Sequence, residues 1–288
     1  MSIKTTIHRT TQETRMEKAS LPIALSIAGS DSGGGAGIQA DLKTFHAFGV
    51  FGTTALTAVT AQNTEGVQAI HPVPLNIVRA QIDSVVGDLR PAGVKTGMLA
   101  TVDLVETVAA SIEGHGLGNF VMDPVMVATS GDRLLDQNAE EALVSRLLPL
   151  TSLVTPNLHE ARILTGIEVV ALDGMRAAAR ALVEEGAGAA LVKGGHLGGE
   201  EVVDLLWDGH RETIWQRPRV ETIHTHGTGC TLSAAAAACL SRGMPLQEAV
   251  HEAIGFVSRA IESAPGLGRG SGPVNHFAGT PFGPGLGA

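Results

Sequence analysis

The hydrophobic pattern of the chain alternates between short apolar runs and longer stretches in which apolar residues recur at helical spacing. The short runs predict strands at 22–28, 52–61, 67–71, 93–96, 120–122, 152–155, 189–193, 202–207 and 213–216. Helical spacing predicts helices around 38–45, 78–89, 101–112, 137–148, 174–185, 228–242 and 245–261. This alternation predicts an α/β fold with a mostly parallel sheet and helices on both faces. No linker or repeat interrupts it, so 21–277 is expected to be a single domain.

The two ends of the chain differ from this pattern. Residues 1–20 are rich in Thr, Arg and Lys without an apolar segment, which predicts a flexible N-terminal tail rather than a secretory signal. Beyond Ser263 the chain becomes rich in Gly and Pro, and 278–288 is predicted to be a flexible tail.

Composition narrows the possible partners and compartment. The net charge of −9 argues against a nucleic acid or an anionic membrane surface as partner. No apolar run reaches the roughly 18 residues that a membrane span needs. Cys230 and Cys239 lie over two helical turns apart on one predicted helix, so a disulfide between them is implausible. We therefore expect a protein of the reducing cytoplasm.

Residues 226–233, with the sequence HGTGCTLS, form a glycine-rich turn that leads into a helix. The first N–H groups of a helix have no partner inside it, and that end of the helix dipole is positive, so this turn is a predicted anion cradle. Gly227 and Gly229 let the backbone approach a ligand closely. At this position the Cys230 thiol is predicted to ionise more easily than a free thiol, whose pKa is about 8.5. The alternative interpretation is an ordinary tight turn with Cys230 as a small buried apolar side chain.

Side chains capable of binding or catalysis recur at the ends of the predicted strands. They are Asp31, Gln62, Met98, Asp123, Asn157 with Glu160, and Lys193. In an open α/β sheet the carboxyl ends of the strands meet in one crevice, so these residues are expected to act together.

Two of these positions point to phosphate and metal chemistry. Asn157 and Glu160 are three residues apart, which places an amide and a carboxylate on the same side of one turn. Oxygen ligands of this kind suit Mg²⁺, although a helix-capping pair would have the same spacing. Lys193 ends an apolar strand and needs a nearby anion, either a ligand phosphate or a structural carboxylate.

Two further polar residues have less specific patterns. Gln62 can pair with a heterocycle through a donor and an acceptor, although such a residue can also cap a turn. In the first helix, Ile38, Leu42 and Phe45 predict the buried face, which places Asp41 on the polar side.

The chain resembles the hydroxymethylpyrimidine/phosphomethylpyrimidine kinases of thiamine biosynthesis, in the ribokinase-like superfamily. The matching segments, taken in order, are 28–45, 60–64, 97–99, 123–126, 155–160, 192–196, 226–233 and 272–277. As an ordered set spanning about 21–277 they are highly specific, although each segment alone is weak.

This resemblance implies a ribokinase-like fold and an ATP- and Mg²⁺-dependent kinase that phosphorylates 4-amino-5-hydroxymethyl-2-methylpyrimidine and then its monophosphate. The residue roles that it implies are pyrimidine binding by Gln62 in a pocket with Met98 and Val125, organisation of Mg²⁺ and phosphate by Asn157 and Glu160, and phosphate binding by Lys193. We further expect catalysis by Cys230, Gly227 and Gly229, substrate binding by Asp41, phosphate binding by Thr228 and metal binding by Asp123. The resemblance also implies a homodimer.

Many ribokinase-like enzymes carry Asp where this chain has Cys230, whereas the pyrimidine kinases and some bacterial pyridoxal kinases carry Cys. A pyridoxal kinase is therefore the first alternative, and residues 62–64 (QNT) favour the pyrimidine branch. The second alternative is a non-catalytic small-molecule binder on the same scaffold.

Overall fold

The computed structural model describes residues 21–126, 137–195 and 198–279. Its strands are β1 (Ile23–Ala28), β2 (Phe51–Leu56), β3 (Ala58–Asn63), β4 (Gly66–Pro72), β5 (Gly93–Thr96), β6 (Phe120–Met122), β7 (Leu153–Val154), β8 (Ala190–Lys193), β9 (Glu201–Trp207) and β10 (Glu212–Pro218). Its α-helices are α1 (Gly37–Ala47), α2 (Leu75–Leu89), α3 (Val102–His115), α4 (Gln137–Ala142), α5 (Leu158–Thr165), α6 (Leu172–Glu184), α7 (Thr228–Ser241) and α8 (Leu246–Glu262). Residues 1–20 (the predicted N-terminal tail), 127–136, 196–197 and 280–288 of the predicted C-terminal tail lie outside the described residues.

The central sheet has eight strands in the order β10-β9-β8-β7-β6-β5-β1-β2. The six strands from β8 to β2 in this order run parallel, whereas β9 and β10 form an antiparallel hairpin at one edge. Because β2 and β5 lie on opposite sides of β1, the topology switches direction there. Ligands of open α/β sheets bind at the carboxyl ends of strands beside such a switch point. The predicted fold class is confirmed.

Helices cover both faces of this sheet. Side chains of successive strand residues point to opposite faces, so Leu191 packs with one layer and Val192 with the other, both fully buried. Helices α1, α7 and α8 form one layer, and α2 to α6 form the other. In α7 every side chain from Thr231 to Ser241 is buried. The small side chains of residues 234–238 let this helix lie close to the sheet.

The predicted strand at 52–61 is two strands. The bend between them is at Thr57, whose N–H donates to the Ala28 carbonyl at 3.0 Å and whose hydroxyl donates to the Met98 carbonyl at 3.0 Å. After this bend the chain leaves the central sheet, and β3 pairs antiparallel with β4 in a separate two-stranded sheet.

The structure confirms a predicted helix boundary where the sequence supplies a capping side chain. The hydroxyl of Thr101 caps α3 as predicted, accepting from the Leu104 N–H at 3.3 Å. The predicted helix at 137–148 is regular only as far as Ala142 and continues as a π turn (Leu143–Leu147) and a 3₁₀ turn (Leu148–Leu150). Pro149 lies in that last turn, and a proline has no N–H with which to continue an α-helix.

The chain beyond Ser263 packs against α8 and against the turn before α7. Val274 and Asn275 are buried, and the Asn275 N–H donates to the Ala260 carbonyl of α8 at 2.9 Å. This segment also pairs Pro273 with His226, so it lies against the turn that precedes α7.

Candidate active site

Two glycine-rich loops meet at the carboxyl end of the parallel strands. Gly227, immediately before α7, has φ = +80° and lies so close to the loop after β1 that a Cβ would overlap the Gly35 carbonyl oxygen. An L side chain is therefore excluded here by backbone conformation and by space. The two loops are also joined by His226, whose Nε2 is 2.9 Å from Oδ2 of Asp31.

Asp31 organises the loop after β1. Its carboxylate accepts hydrogen bonds from the N–H groups of Gly33, Gly35 and Ala36 at 2.8–2.9 Å. Burial opposes ionisation, but the hydrogen bonds from His226 and from these N–H groups outweigh it and hold the pKa of Asp31 below its ordinary value. Asp31 therefore remains ionised and fixes the loop.

The first turn of α7 lies against Lys193. A Cβ on Gly229 would be 3.3 Å from the Lys193 Nζ and 3.7 Å from Oδ2 of Asp123. The predicted anion cradle and the lysine at the end of β8 thus border the same space. This position beside Lys193 favours the anion cradle over an ordinary tight turn, although Cys230 is also partly buried, as the alternative interpretation expected.

Lys193 lies between two carboxylates. Its Nζ is 3.3 Å from Oδ1 of Asp123 and 3.9 Å from Oε2 of Glu160. The hydroxyl of Ser233, one turn into α7, donates to Oδ2 of Asp123 at 3.2 Å. Burial disfavours the ammonium, but Asp123 and Glu160 outweigh it and raise the pKa of Lys193. The anion that sequence reasoning required for Lys193 is therefore carboxylate in this structure, and Ser233 is a partner that the sequence did not indicate.

Asn157 and Glu160 form the capping pair that their spacing allowed. Oδ1 of Asn157 accepts from the Glu160 N–H at 2.9 Å, and Oε2 of Glu160 accepts from the Asn157 N–H at 2.7 Å. This capping box begins α5, a helix not among those predicted from periodicity. Burial raises the pKa of Glu160 to about 7; Lys193 opposes this shift and Asp123 adds to it.

The prediction that Cys230 ionises easily is wrong for the protein without ligands. Burial raises the pKa of its thiol to about 11, and the charges of Asp123 and Asp41 add to that effect. Lys95 and a hydrogen bond from the Gly37 N–H act in the opposite direction but are outweighed. The position at a helix N-terminus favours a thiolate, yet desolvation and two nearby carboxylates decide the outcome.

Asp41 does not lie on the polar side of α1 as predicted. It is completely buried with Ala40, Thr44 and Phe45, whereas Leu42 is 36% exposed. Its carboxylate accepts from the ammonium of Lys95 at 3.0 Å and from the Ser26 hydroxyl. Sequence reasoning missed Lys95, although it follows Val94 in β5 as Lys193 follows Val192 in β8.

The residues expected to bind the substrate approach this space from other elements. Gln62, on β3, is tied to the loop after β1 because the Ser32 hydroxyl donates to its carbonyl oxygen at 2.7 Å. Met98 follows β5 and is 8% exposed, and its Cε occupies the space that a Cβ on Gly29 would need. Val125 is partly buried, two residues beyond Asp123. Their contacts with a substrate remain predictions.

The predicted role of Thr228 has less support. Its hydroxyl and its N–H both bond to the Thr225 carbonyl, at 2.6 and 3.2 Å, so the turn itself uses these donors. Phosphate binding by this side chain stays a prediction.

The carboxylates of Asp123 and Glu160 fit a magnesium ion in their chemistry. Both lie within 4 Å of the same Lys193 Nζ, so their oxygens face one small volume. Among the residues that the structure describes, no group of three or more His, Cys, Asp or Glu side chains converges to hold a metal. Mg²⁺ typically takes one or two carboxylates and completes its shell with water and phosphate oxygens, which matches this donor set.

A family model for phosphomethylpyrimidine kinase matches residues 31–275. The chain belongs to the phosphomethylpyrimidine kinase family. It is 52% identical over 260 residues to the hydroxymethylpyrimidine/phosphomethylpyrimidine kinase of Rhizobium meliloti, covering 88% of this chain and 97% of that protein. A phosphomethylpyrimidine kinase from Clostridium difficile shares the structure with a TM-score of 0.75 and 38% identity, over 83% of this chain and 99% of that chain.

Pyridoxal kinases share the same fold as this phosphomethylpyrimidine kinase family member. The ADP complex of Bacillus subtilis pyridoxal kinase superposes with a TM-score of 0.84 at 40% identity, over 90% of this chain and 98% of that chain. The fold and the kinase chemistry predicted from sequence are therefore confirmed. No helix within the described residues of this kinase is long and apolar enough to cross a membrane.

Proposed function

We propose that this enzyme transfers the γ-phosphoryl group of ATP to the hydroxymethyl group of 4-amino-5-hydroxymethyl-2-methylpyrimidine, and then phosphorylates the resulting monophosphate, in thiamine biosynthesis. The observation that carries the proposal is the position of Gly229 in the first turn of α7, where a Cβ would lie 3.3 Å from the Lys193 ammonium. A migrating phosphoryl group placed there meets helix N–H groups and a cation together. Cys230, the next residue, then borders the acceptor oxygen.

The first transfer requires an alcohol to lose its proton. A positioned base that accepts this proton as the acceptor oxygen attacks the γ-phosphorus assists the step, and Cys230 would have this role in its thiolate form. Lys193 neutralises charge on the transferred group, and the loop fixed by Asp31 and His226 closes the other side of the cradle.

The second transfer has a different electrostatic requirement. A phosphate monoester, with a second pKa near 6, is already anionic at neutral pH and needs mainly positioning and charge neutralisation. Burial raises the pKa of the Cys230 thiol to about 11, which favours the neutral form of this side chain beside the monophosphate. A neutral thiol does not repel the anionic acceptor, whereas an aspartate would, which gives a physical reason for cysteine at this position.

Magnesium would be held by Asp123 and Glu160, directly or through water, and would neutralise charge on the phosphate oxygens of ATP. In the structure, the Lys193 ammonium pairs with both of these carboxylates. Asn157 keeps Glu160 aimed at this space through the capping box, and Ser233 does the same for Asp123.

The pyrimidine ring would lie between Gln62, Met98 and Val125. An amide that donates and accepts at once matches a ring nitrogen beside an exocyclic amino group. Pyridoxal has no such amino group and carries a phenolic hydroxyl on its ring. Since pyridoxal kinases are 40% identical structural neighbours, pyridoxal is the competing substrate to test.

Steady-state kinetics with the pyrimidine alcohol, its monophosphate and pyridoxal as separate acceptors tests the proposal. We expect ADP formation with both pyrimidines and a lower kcat/KM with pyridoxal. Turnover of pyridoxal alone would identify a pyridoxal kinase, and tight binding of a pyrimidine without ADP formation would identify a non-catalytic binder. Gln62→Ala should lower kcat/KM for the pyrimidines, with Gln68→Ala on the neighbouring strand β4 as the matched control.

We also expect a cytoplasmic homodimer, from the family resemblance. The two-stranded sheet β3–β4 lies outside the central sheet and exposes Val59 (47%) and Ile70 (42%), which makes it the surface to test. Light scattering of the purified enzyme and of the double variant Val59→Lys/Ile70→Lys measures the oligomeric state of each. A monomeric wild type would contradict the expectation of a dimer.

A further inference from the structure

The side chain of Gln62 meets the hydroxyl of Thr60, two residues earlier on β3. Successive strand residues point to opposite faces, so positions 60 and 62 share one face of the hairpin. The Thr60 Oγ1 lies 3.3 Å from Oε1 of Gln62 and 2.7 Å from the carbonyl oxygen of Ser30, in the loop after β1. Thr60 is buried, with 5% of its surface exposed. This hydroxyl therefore lies beside the amide that is expected to recognise the substrate ring.

The backbone of Gln62 is held separately from its side chain. Its N–H donates to the Ser32 hydroxyl at 2.8 Å, and its carbonyl accepts from the same hydroxyl at 2.7 Å. The pairing of β3 with β4 also shifts register between Ala61 and Gln62. Such a bulge re-aims a side chain and is common beside active sites. With the backbone fixed, the main freedom left to Gln62 is the direction in which its amide faces.

The single proton of the Thr60 hydroxyl decides which end of that amide it prefers. The Ser30 carbonyl can only accept a hydrogen bond, and 2.7 Å is an ordinary O–H···O distance. The contact of 3.3 Å to Gln62 is beyond the usual O–H···O range of about 2.5–3.0 Å. The proton therefore points to Ser30. Thr60 Oγ1 then offers a lone pair to Gln62, which favours the amide nitrogen over the amide oxygen at this place.

Rotation of the Gln62 amide about its terminal torsion exchanges its two ends, because this torsion is broad and roughly two-fold. With Nε2 turned towards Thr60, one of its hydrogens bonds to the threonine and the other lies on the same edge as Oε1. That edge presents an acceptor and a donor side by side. A 4-aminopyrimidine presents the matching pair, since its amino group donates and the adjacent ring nitrogen accepts.

We propose that Thr60 is a positioning residue that sets the acceptor specificity of this kinase: it holds the Gln62 amide with the nitrogen towards Thr60, so that Oε1 faces the amino group of the pyrimidine. This inference rests on the proposed function and on the pairing of Gln62 with the ring. Thr60 acts through Gln62. The ligand class that it selects is a ring with an exocyclic amino group beside an unprotonated ring nitrogen.

The 4-oxo analogue of the substrate reverses this pattern of donors and acceptors. A carbonyl oxygen replaces the amino group, and the adjacent ring nitrogen carries a proton. To pair with it, the amide must turn its oxygen towards Thr60, where two lone pairs meet unless the hydroxyl gives up its bond to Ser30. The wild-type enzyme should therefore prefer the 4-amino alcohol, because a site built to hydrogen-bond one pattern leaves polar groups unpaired with the other.

Steady-state kinetics with the two alcohols measures this preference as the ratio of their kcat/KM values. Thr60→Val keeps the shape of the side chain but removes the hydroxyl, so position 60 no longer distinguishes the two amide orientations. We expect the ratio to fall by about 10-fold, as for loss of one neutral hydrogen bond. Thr60→Ser keeps the hydroxyl and should keep the wild-type ratio. General damage to the site would instead slow both acceptors alike.

Thr53→Val is the matched control for loss of a buried threonine hydroxyl. Thr53 is also a buried strand residue, and its hydroxyl donates to the Ala24 carbonyl at 2.9 Å. This bond joins β2 to β1 within the central sheet and does not involve Gln62. Its removal should reduce the free energy of unfolding by about as much as Thr60→Val does, and should leave the ratio of the two alcohols unchanged.

An unchanged ratio in Thr60→Val, or equal use of the two alcohols by wild type, overturns the proposal. If the 4-oxo analogue is not turned over, its inhibition constant against the 4-amino alcohol supplies the same comparison. Thr60→Ala, which also lacks the hydroxyl, replaces Thr60→Val if that variant does not fold. Failure of the proposed function gives a different result, because the wild type would then form no ADP with the 4-amino alcohol.

Discussion

Replacing Gly229 by alanine tests whether the migrating phosphate lies between α7 and Lys193. The added methyl group would be 3.3 Å from the Lys193 Nζ and 3.7–3.8 Å from the two carboxylate oxygens of Asp123. The first distance is too short for comfortable contact, so the ammonium must move by a few tenths of an ångström. The methyl would also cover the side of the ammonium that faces the cradle.

The expected magnitude follows from what that ammonium does. A hydrogen bond to a charged group contributes about 1.5–3 kcal/mol, so its displacement should lower kcat/KM for ATP by about 10- to 150-fold. The fold should not suffer. Gly229 lies within α7 and does not have a positive φ, and alanine is favoured over glycine in a helix by up to about 1 kcal/mol.

Steady-state kinetics and urea unfolding of the same preparations measure both effects. Gly87→Ala is the matched control, because this glycine is also within a helix and a Cβ there meets nothing within 4 Å. We expect unchanged kinetics for Gly87→Ala and a large loss for Gly229→Ala at equal or higher stability. A Gly229→Ala enzyme with wild-type kcat/KM would show that phosphate does not pass between these groups.

Three further substitutions test other parts of the site. Cys230→Asp should slow transfer to the monophosphate more than transfer to the alcohol, because a carboxylate about 5 Å from a phosphate costs roughly 3 kcal/mol at an effective dielectric of 20; equal losses in the two assays would discard the idea. Burial raises the pKa of Glu160 from 4.5 to about 7, so the folded state binds this proton more tightly than the unfolded state. The wild type should therefore lose stability relative to Glu160→Gln as the pH rises through this interval. If the urea midpoint changes by the same amount between pH 5 and pH 8 in both proteins, this prediction is wrong. Gly227→Ala should reduce the free energy of unfolding by more than the roughly 1–2 kcal/mol expected for a left-handed backbone alone, since its Cβ also overlaps Gly35. Gly166→Ala measures the backbone contribution by itself, because Gly166 has φ = +71° and open space around it. Equal losses of stability in the two variants would show that the contact between the two loops contributes nothing.

Local signals were sufficient for most of the fold. The alternation of strand and helix, the cap at Thr101 and the turn at Gly227 depend on periodicity and on side chains that act within a few residues, so the sequence predicts them directly. The bend at Thr57 was not visible in the pattern, because it is held by hydrogen bonds to Ala28 at the end of β1 and to Met98 after β5, which are distant in sequence. The convergence of the strand ends on one edge followed from the parallel order that the alternation implies.

By itself, the sequence determined that the residues at the ends of the parallel strands meet, because parallel strands bring their carboxyl ends to one edge of a sheet. It also predicts an anion cradle in the turn before α7. Only the tertiary structure decided which charges occupy that edge. The buried face of α1 includes Asp41 because Lys95, distant in sequence, supplies an ammonium to pair with it. The ionisation of Cys230 likewise depends on desolvation and on Lys95 and Asp123. Electrostatic energies depend on distance in space and on exclusion of water, and neither quantity is written in the local pattern of a chain.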